Sequence, residues 1–124
     1  MGRMDARKFF RSFRYAAKGI VRTARTEQNF RFHLAAGTAV VIAGALTGLS
    51  AAEWSVILLL IAGMLSLELM NTAVERVVDK ASPEWHPLAG QAKDAAAAAV
   101  LIYAAASAVI GCVVFLPKWW NLFN

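Results

Sequence analysis

Residues 54–79 read WSVILLLIAGMLSLELMNTAVERVVD, an apolar run interrupted in its second half by the carboxylates Glu68 and Glu75. The run is long enough to cross a bilayer, which takes about 20 apolar residues. Glu68, Asn71, Glu75 and Asp79 stand at i, i+3, i+7 and i+11, so an α-helix stacks them on one face. Ionisable groups in hydrocarbon are costly and mark transport pathways, ligand sites or catalysis. The run predicts a membrane helix with a polar stripe at one end.

Apolar residues make up 59% of the 124 residues, against about 45–50% in soluble domains. They concentrate in residues 34–49, 54–67 and 95–116. We predict an all-α integral membrane protein that forms one membrane domain over residues 1–124 and has no cleavable signal peptide. The predicted elements are an amphipathic surface helix over 4–25 and transmembrane helices over 28–49, 54–78 and 94–116, the last of which ends at Pro117.

The net charge of +5 is unevenly distributed. Nine of the thirteen basic residues precede the first apolar segment, residues 34–49, so the positive-inside rule places the N-terminus in the cytoplasm and, after three crossings, the C-terminus outside. Trp54, Trp119 and Trp120 then fall at the outer interface, where aromatic residues are enriched. The nine residues are Arg3, Arg7, Lys8, Arg11, Arg14, Lys18, Arg22, Arg25 and Arg31.

Residues 4–25 are predicted to form a helix that lies on the membrane. Phe9, Phe13 and Ile20 fall on one helical face and basic side chains on the other. Basic amphipathic helices also bind nucleic acid or calmodulin. Directly before a membrane span, contact with anionic lipid is the favoured interpretation.

The depths of the two carboxylates suggest different chemical tasks. With Trp54 at the outer interface, Glu68 lies roughly 21 Å into the membrane and Glu75 about 10 Å further, near water. A partly desolvated carboxylate can accept a proton from a hydroxyl. Glu75, with Glu27, can hold Mg²⁺, which favours one or two carboxylates plus phosphate oxygens and water. Phosphoryl transfer to a lipid alcohol would use both tasks, and Lys93 can screen phosphate charge beside Asp94.

Other interpretations remain open on residue patterns alone. Carboxylates inside the membrane also occur in ion and proton transporters. No phosphate-binding glycine-rich loop and no soluble protein-kinase signature is present in the sequence. Single residues have simpler alternatives as well: a helix-dipole charge for Glu27, a helix–helix hydrogen bond for Asn71, interfacial charges for Lys93 and Asp94, loop anchors for Trp85 and His86, and a snorkelling group for His33.

Four segments together resemble the prokaryotic diacylglycerol kinase and undecaprenol kinase family. They are LELMNTAVERVVD at 67–79, SPEWHPLAGQAKDAAAAAV at 82–100, TEQNFR at 26–31 and RSFRYAAKG at 11–19. The resemblance covers nearly the whole chain. It implies a surface helix plus three transmembrane helices, assembled as a homotrimer in a bacterial cell membrane with active sites at the cytoplasmic face.

The resemblance also implies roles for single residues. Glu68 matches the family's catalytic base, Glu27 and Glu75 match its metal-binding carboxylates, and Asn71 and Asp79 match supporting polar residues. The implied cofactor is Mg²⁺, with ATP as co-substrate. The positions that match ATP contacts are Lys8, Tyr15, Glu27, Glu75, Glu84, Trp85, His86, Lys93 and Asp94.

The implied activity is transfer of the γ-phosphoryl group of ATP to the hydroxyl of a membrane lipid alcohol. His33, with Ser82-Pro83-Glu84 and His86-Pro87, looks more like the undecaprenol kinase branch. A diacylglycerol kinase that makes phosphatidic acid is the alternative within the family, and a small ion- or proton-coupled transporter is the alternative of another class.

Overall fold

The computed structural model describes Arg3 and residues 5–124, and it consists of four α-helices with no strand in that part of the chain. Three of the helices are long and apolar enough to cross a membrane. The predicted all-α class, with one basic helix followed by three membrane helices, is therefore confirmed. The helices are α1 (Ala6–Thr26), α2 (Gln28–Thr47), α3 (Ala51–Ala81) and α4 (Pro87–Phe123).

Among the described residues, helix α1 forms its hydrogen bonds to the other helices through its last turns. Asp5 caps its first turn by accepting a hydrogen bond from the Arg7 amide at 3.0 Å. The apolar face that carries Phe9 and Phe13 is exposed, and Thr23 in the last turns is buried. An exposed apolar face opposite a basic face suits a helix that lies at a membrane surface.

The joint between α1 and α2 is a single extended residue, Glu27 (φ −111°, ψ 116°). Its amide donates to the Thr23 carbonyl at 2.8 Å. Arg31 reaches back so that its guanidinium donates to the carbonyls of Ala24 and Arg25, each at 3.0 Å. A cation on these last carbonyls satisfies acceptors that have no partner within the helix. The joint therefore places Glu27 at one end of the bundle, which we call the basic end.

The opposite end of the bundle, which we call the far end, holds the turn between α2 and α3. Gly48 ends α2 with φ +83°, a left-handed conformation that favours glycine. Ser50 then starts α3 with a capping box: the Glu53 amide donates to Ser50 Oγ at 3.2 Å, and the Ser50 amide donates to Glu53 Oε1 at 3.1 Å. Helices α2 and α3 are therefore antiparallel neighbours.

Helix α3 is the central helix and packs against both α2 and α4. Its buried residues are Ile57, Met64, Glu68 and Thr72, which lie on one helical face. On the α4 side, the Tyr103 hydroxyl donates to the Leu59 carbonyl at 3.0 Å and lies directly over Gly63. The absence of a side chain at Gly63 thus lets α4 approach α3 closely.

The sequence predicts that the last helix ends at Pro117. In the structure, α4 instead continues to Phe123. Proline removes the hydrogen bond to the Val113 carbonyl and its ring crowds that carbonyl, and such a disturbance is tolerated in membrane helices that are held by neighbours. Lys118 Nζ lies 3.0 Å from Glu53 Oε1, and Trp119 Nε1 donates to Thr47 Oγ1 at 2.9 Å. These contacts hold the last turns of α4 against the far end.

Candidate active site

Glu68 is the most deeply buried of the four stripe residues, with 4% of its surface exposed. Its Oε1 lies 3.3 Å from Nε2 of His33, which α2 supplies. Within the described residues, His33 is the one ion-pair partner of Glu68. The sequence alone predicts a snorkelling role for His33 and does not predict this contact. His33 and Glu68 lie at similar distances along the chain from the turn between α2 and α3. Because these two helices are antiparallel, the two residues come to a similar depth in the bundle.

Asn71 and Glu75 lie one and two turns closer to the basic end. Asn71 Nδ2 donates to Glu75 Oε1 at 3.5 Å, the outer limit of a hydrogen bond. Asn71 Oδ1 is buried and has no hydrogen-bond partner among the described residues. This unpaired amide oxygen is therefore available to accept a hydrogen bond or to bind a metal ion next to Glu75.

Glu27 contacts Arg76, the residue that follows Glu75 in α3. Arg76 Nη2 lies 3.6 Å from Glu27 Oε1 and donates to Thr26 Oγ1 at 2.9 Å. This contact joins α3 to the α1–α2 joint at the residue next to Glu75. The sequence alone does not predict this pairing of Arg76, because it depends on how the helices are packed.

The groups around Glu27 and Glu75, the predicted metal ligands, limit the kind of metal site that these carboxylates form. In the described part of the chain, no three His, Cys, Asp or Glu side chains are grouped to hold a metal ion. A site built only from protein side chains is therefore not formed there. Mg²⁺ usually takes one or two carboxylates and completes its shell with water and phosphate oxygens. The carboxylates of Glu27 and Glu75, with the free Asn71 amide oxygen, fit an ion that binds together with phosphate.

At the basic end, Asp79 forms an ion pair with Lys93 of α4. This hydrogen-bonded contact raises the pKa of Lys93 above its ordinary value, and the nearby charge of Glu75 adds to the shift. Lys93 precedes the predicted membrane segment and its side chain is exposed, so its ammonium carries a stable charge at the water-facing end of the stripe.

The loop between α3 and α4 presents its predicted site residues to solvent. Trp85 is 87% exposed, and Glu84 is exposed while its carbonyl accepts from Ser82 Oγ at 3.0 Å. His86 caps α4, where its Nδ1 accepts from the Leu88 amide at 3.1 Å. His86 therefore performs the loop-anchor role that the sequence offered as an alternative. Asp94 is exposed in the second turn of α4, next to Lys93.

Lys8 and Tyr15 lie on α1 and are exposed. Lys18 Nζ is 5.9 Å from the centre of the Tyr15 ring, and the Lys8 carbonyl accepts from Ser12 Oγ at 3.1 Å. Among the described residues, no hydrogen bond or ion pair links Lys8 or Tyr15 to the stripe on α3. Contacts within one subunit thus link Glu27 to Arg76, Asn71 to Glu75 and Asp79 to Lys93. Among the described residues they do not link the predicted ATP contacts on α1 and in the loop to these groups.

A groove of about 480 Å³ runs between α2, α3 and α4 on the membrane-spanning part of the bundle. This volume lies within the range of about 300–1,000 Å³ that is usual for ligand sites. Its walls are almost entirely apolar and include Gly37, Met64 and Ala108, and Trp119 lines it at the far end. His33 lines it at the other end, whereas Glu68 is not among its lining residues. The sequence did not predict this groove, because three helices form it jointly.

Comparisons with known proteins show the family to which the chain belongs. Residues 14–115 match the family model described as prokaryotic diacylglycerol kinase. The chain is similar to an undecaprenol kinase of Bacillus subtilis, with 55% identity over 94% of each chain. It is also similar to a diacylglycerol kinase of Synechocystis, with 43% identity over 90% of this chain and 64% of the relative. An Escherichia coli diacylglycerol kinase is 38% identical over 47% of this chain and 44% of the relative.

The family match covers α1 from Arg14 onward, all of α2 and α3 with the polar stripe, and α4 as far as Phe115. Three helices long enough to cross a membrane, a family model that matches most of the chain and relatives named as kinases lead to one conclusion. The chain belongs to the prokaryotic diacylglycerol kinase family and is a multi-pass membrane lipid kinase.

Proposed function

We propose that this kinase transfers the γ-phosphoryl group of ATP to the hydroxyl of undecaprenol, with Mg²⁺ as cofactor. The observation that carries the proposal is the gradient of exposure along one face of α3. The Glu68 side chain is 5% exposed, Glu75 is half-buried and the Asp79 side chain is 65% exposed. A single helix face thus leads from lipid depth to water, as a reaction between a soluble nucleotide and a membrane alcohol requires.

The choice of undecaprenol rests on the relative from Bacillus subtilis, which carries that name and is similar over nearly its whole length. The apolar groove supports the same choice, because a polyprenol brings a long hydrocarbon chain and only one terminal hydroxyl. Diacylglycerol, the substrate class in the names of the Synechocystis and Escherichia coli relatives, is the second candidate.

The nucleotide and metal site lies at the basic end. Glu27 and Glu75 bind Mg²⁺, which, when bound, neutralises charge on the phosphates. Lys93 adds a positive charge to the phosphates, and Asp94 orients the Lys93 ammonium or supports the metal. Lys8, Tyr15, Glu84, Trp85 and His86 contact the rest of ATP. Because these five are exposed and apart in one chain, we infer that a homotrimer completes the site with residues of a neighbouring subunit.

Glu68 supplies the basic group for the lipid hydroxyl. Its carboxylate faces little water, so it does not have to lose a full hydration shell when the alcohol approaches. Asn71 and Asp79 hold Glu75 and Lys93 in place through the contacts described above. The γ-phosphoryl group then passes directly to the alcohol oxygen in an in-line transfer.

We propose that the basic end faces the cytoplasm of a bacterial cell and that the C-terminus lies outside. The basic residues of α1 support this orientation through the positive-inside rule. Trp119 contacts Thr47 at the far end, which supports an aromatic belt at the outer interface.

A direct comparison of substrates tests the proposal. The purified protein is incubated with γ-labelled ATP, Mg²⁺ and either undecaprenol or diacylglycerol in the same lipid environment, and labelled lipid is measured. We expect faster labelling of undecaprenol. Faster labelling of diacylglycerol would reassign the substrate. Movement of ions or protons in liposomes without labelled lipid would instead support a transporter.

A further inference from the structure

The guanidinium of Arg76 contacts the last residue of α1 and the joint residue that follows it. Its Nη2 donates to Thr26 Oγ1 at 2.9 Å and lies 3.6 Å from Glu27 Oε1. The Thr26 hydroxyl in turn donates to the Arg22 carbonyl at 2.9 Å. This hydroxyl therefore acts as donor and acceptor at once, which keeps the guanidinium at the joint between α1 and α2.

The carboxylate of Glu27 depends on Arg76 for its orientation. Glu27 is the extended residue between two helices, and its side chain makes no capping hydrogen bond to the first turn of α2. Among the residues that the structure describes, Arg76 is the one basic group within ion-pair distance of this carboxylate. A single contact from α3 thus orients one of the two proposed Mg²⁺ ligands.

The two proposed metal ligands differ in their charge partners. Glu27 is paired with Arg76. Glu75 accepts from the Asn71 amide at 3.5 Å, and within the described part of the chain no basic side chain lies at ion-pair distance from it. A metal ion that binds both carboxylates therefore competes with a cation at Glu27 but not at Glu75.

The ion pair between Arg76 and Glu27 is weak enough to be exchanged. Its side chains are 46% and 36% exposed, and exposed ion pairs contribute little because water and salt screen them. Arg76 can therefore give up Glu27 to a metal ion, but its guanidinium is then left without an anion. Phosphate oxygens that arrive with the metal supply one, since guanidinium groups form strong charge-assisted hydrogen bonds with phosphate. Loss of the ion pair is thus compensated only when metal and phosphate arrive together.

We propose that Arg76 is a positioning residue that makes metal binding depend on the nucleotide. Without nucleotide, Arg76 holds the Glu27 carboxylate and competes with free Mg²⁺ for it. When Mg²⁺ and ATP bind together, Arg76 exchanges Glu27 for a phosphate oxygen. The coupling is reciprocal, so nucleotide raises the affinity for metal as much as metal raises the affinity for nucleotide. This inference rests on the proposed function and refines it, because it concerns the same Mg-ATP site.

Metal binding without nucleotide tests the competition at Glu27. Mn²⁺, which takes the same oxygen ligands as Mg²⁺, is titrated into the purified full chain, and the free ion is measured by electron paramagnetic resonance. Arg76→Gln keeps an amide donor for Thr26 and removes the charge. We expect this variant to bind Mn²⁺ about two- to fivefold more tightly than the wild-type protein, the range for loss of an exposed ion pair. Unchanged or weaker Mn²⁺ binding would overturn the proposal, because a purely structural role predicts one of those results.

Nucleotide binding tests the exchange with phosphate. An ATP analogue with a methylene group in place of the β–γ bridging oxygen binds without turnover, so its affinity is measured at a fixed Mg²⁺ concentration. We expect Arg76→Gln to weaken this binding about tenfold, opposite in direction to its effect on Mn²⁺. Arg76→Lys should recover part of both effects, because lysine keeps the charge but not the planar fork. Unchanged binding of the analogue by Arg76→Gln would contradict the exchange. If that variant does not fold, Arg76→Lys decides, since affinities that both match the wild-type values rule out a role for the fork.

Lys80 provides a matched control one turn further along α3. It is exposed and forms no ion pair among the described residues, so Lys80→Gln removes the same charge from the same helix and should change neither affinity. Equal effects of Lys80→Gln and Arg76→Gln would mean that only the net charge of the basic end matters, against the proposal.

A double substitution tests whether Arg76 acts through Glu27. The effect of Arg76→Gln on Mn²⁺ binding should disappear in a Glu27→Gln protein, because both changes remove the same contact. Additive effects would show that the pair is not the cause. If the wild-type protein binds neither Mn²⁺ nor the ATP analogue, it is the metal site of the proposed function that is wrong.

Discussion

Lys93 of α4 pairs with Asp79 of α3, and the same ammonium lies in the field of Glu75. The pair therefore joins two helices at the place where the proposed phosphate site begins. It has two separable consequences, one for packing and one for nucleotide binding.

Exchanging the two charges separates these consequences. Lys93→Asp alone should raise KM for ATP and lower Tm, because it removes a cation and places two carboxylates together. The exchange Asp79→Lys with Lys93→Asp should recover most of Tm but not KM, since the cation no longer projects from α4. Kinetics and thermal unfolding in the same detergent measure both effects. Full recovery of KM would mean that Lys93 acts only in packing.

Glu68→Gln should abolish turnover and leave Mg-ATP binding largely intact. The amide fills the same buried space but cannot take up the proton of the lipid hydroxyl. The matched control is Glu53→Gln, the same change at the far end of the same helix, which should leave turnover close to normal. Lipid labelling and equilibrium nucleotide binding are the measurements. Normal activity in a folded Glu68→Gln protein would remove this residue from the mechanism.

Glu27→Ala and Glu75→Ala should weaken nucleotide binding in a metal-dependent manner. Each removes one proposed Mg²⁺ ligand, so the Mg²⁺ concentration for half-maximal ATP binding should rise for both. Glu53→Ala, which removes a carboxylate far from this site, provides the control. The check is a Mg²⁺ titration at constant ATP. Titration curves that coincide with that of the wild-type protein would argue against the assignment.

Gly63→Ala should destabilise the bundle. A Cβ atom at Gly63 would overlap the hydroxyl of Tyr103, so α3 and α4 would have to move apart or lose the hydrogen bond to Leu59. Gly111→Ala is the matched control, because nothing lies within 4 Å of a Cβ atom there. We expect a lower Tm for Gly63→Ala and an equal or higher Tm for Gly111→Ala. Equal behaviour of the two variants would contradict the close approach.

Pro117→Ala should raise Tm. The helix already passes through this position, so alanine restores an amide that can donate to the Val113 carbonyl, a gain on the order of 1 kcal/mol. Thermal unfolding in detergent is the measurement, with Pro83→Ala, in the loop before α4, as a comparison outside the helices. A lower Tm for Pro117→Ala would mean that the far-end contacts of Lys118 and Trp119 need the proline geometry.

Several features of the site could be predicted because they depend on one helix at a time. The common face of Glu68, Asn71, Glu75 and Asp79 follows from 3.6 residues per turn, and the gradient from buried to exposed follows from position along the helix. The basic and apolar faces of α1 follow in the same way. The expectation that Pro117 ends α4 is the local prediction that is wrong. The contacts of Lys118 to Glu53 and of Trp119 to Thr47 outweigh one missing hydrogen bond in the helix.

The amino-acid sequence by itself determined the four helices, the polar stripe and the family, because helix periodicity, hydrophobic length and charge bias are local properties of the chain. Only the tertiary structure decided that His33 meets Glu68, that Arg76 holds Glu27, and that three helices enclose a groove ending at an imidazole. Those relationships depend on how far each helix is rotated and how closely it packs against its neighbours, which the spacing of residues along one helix does not specify.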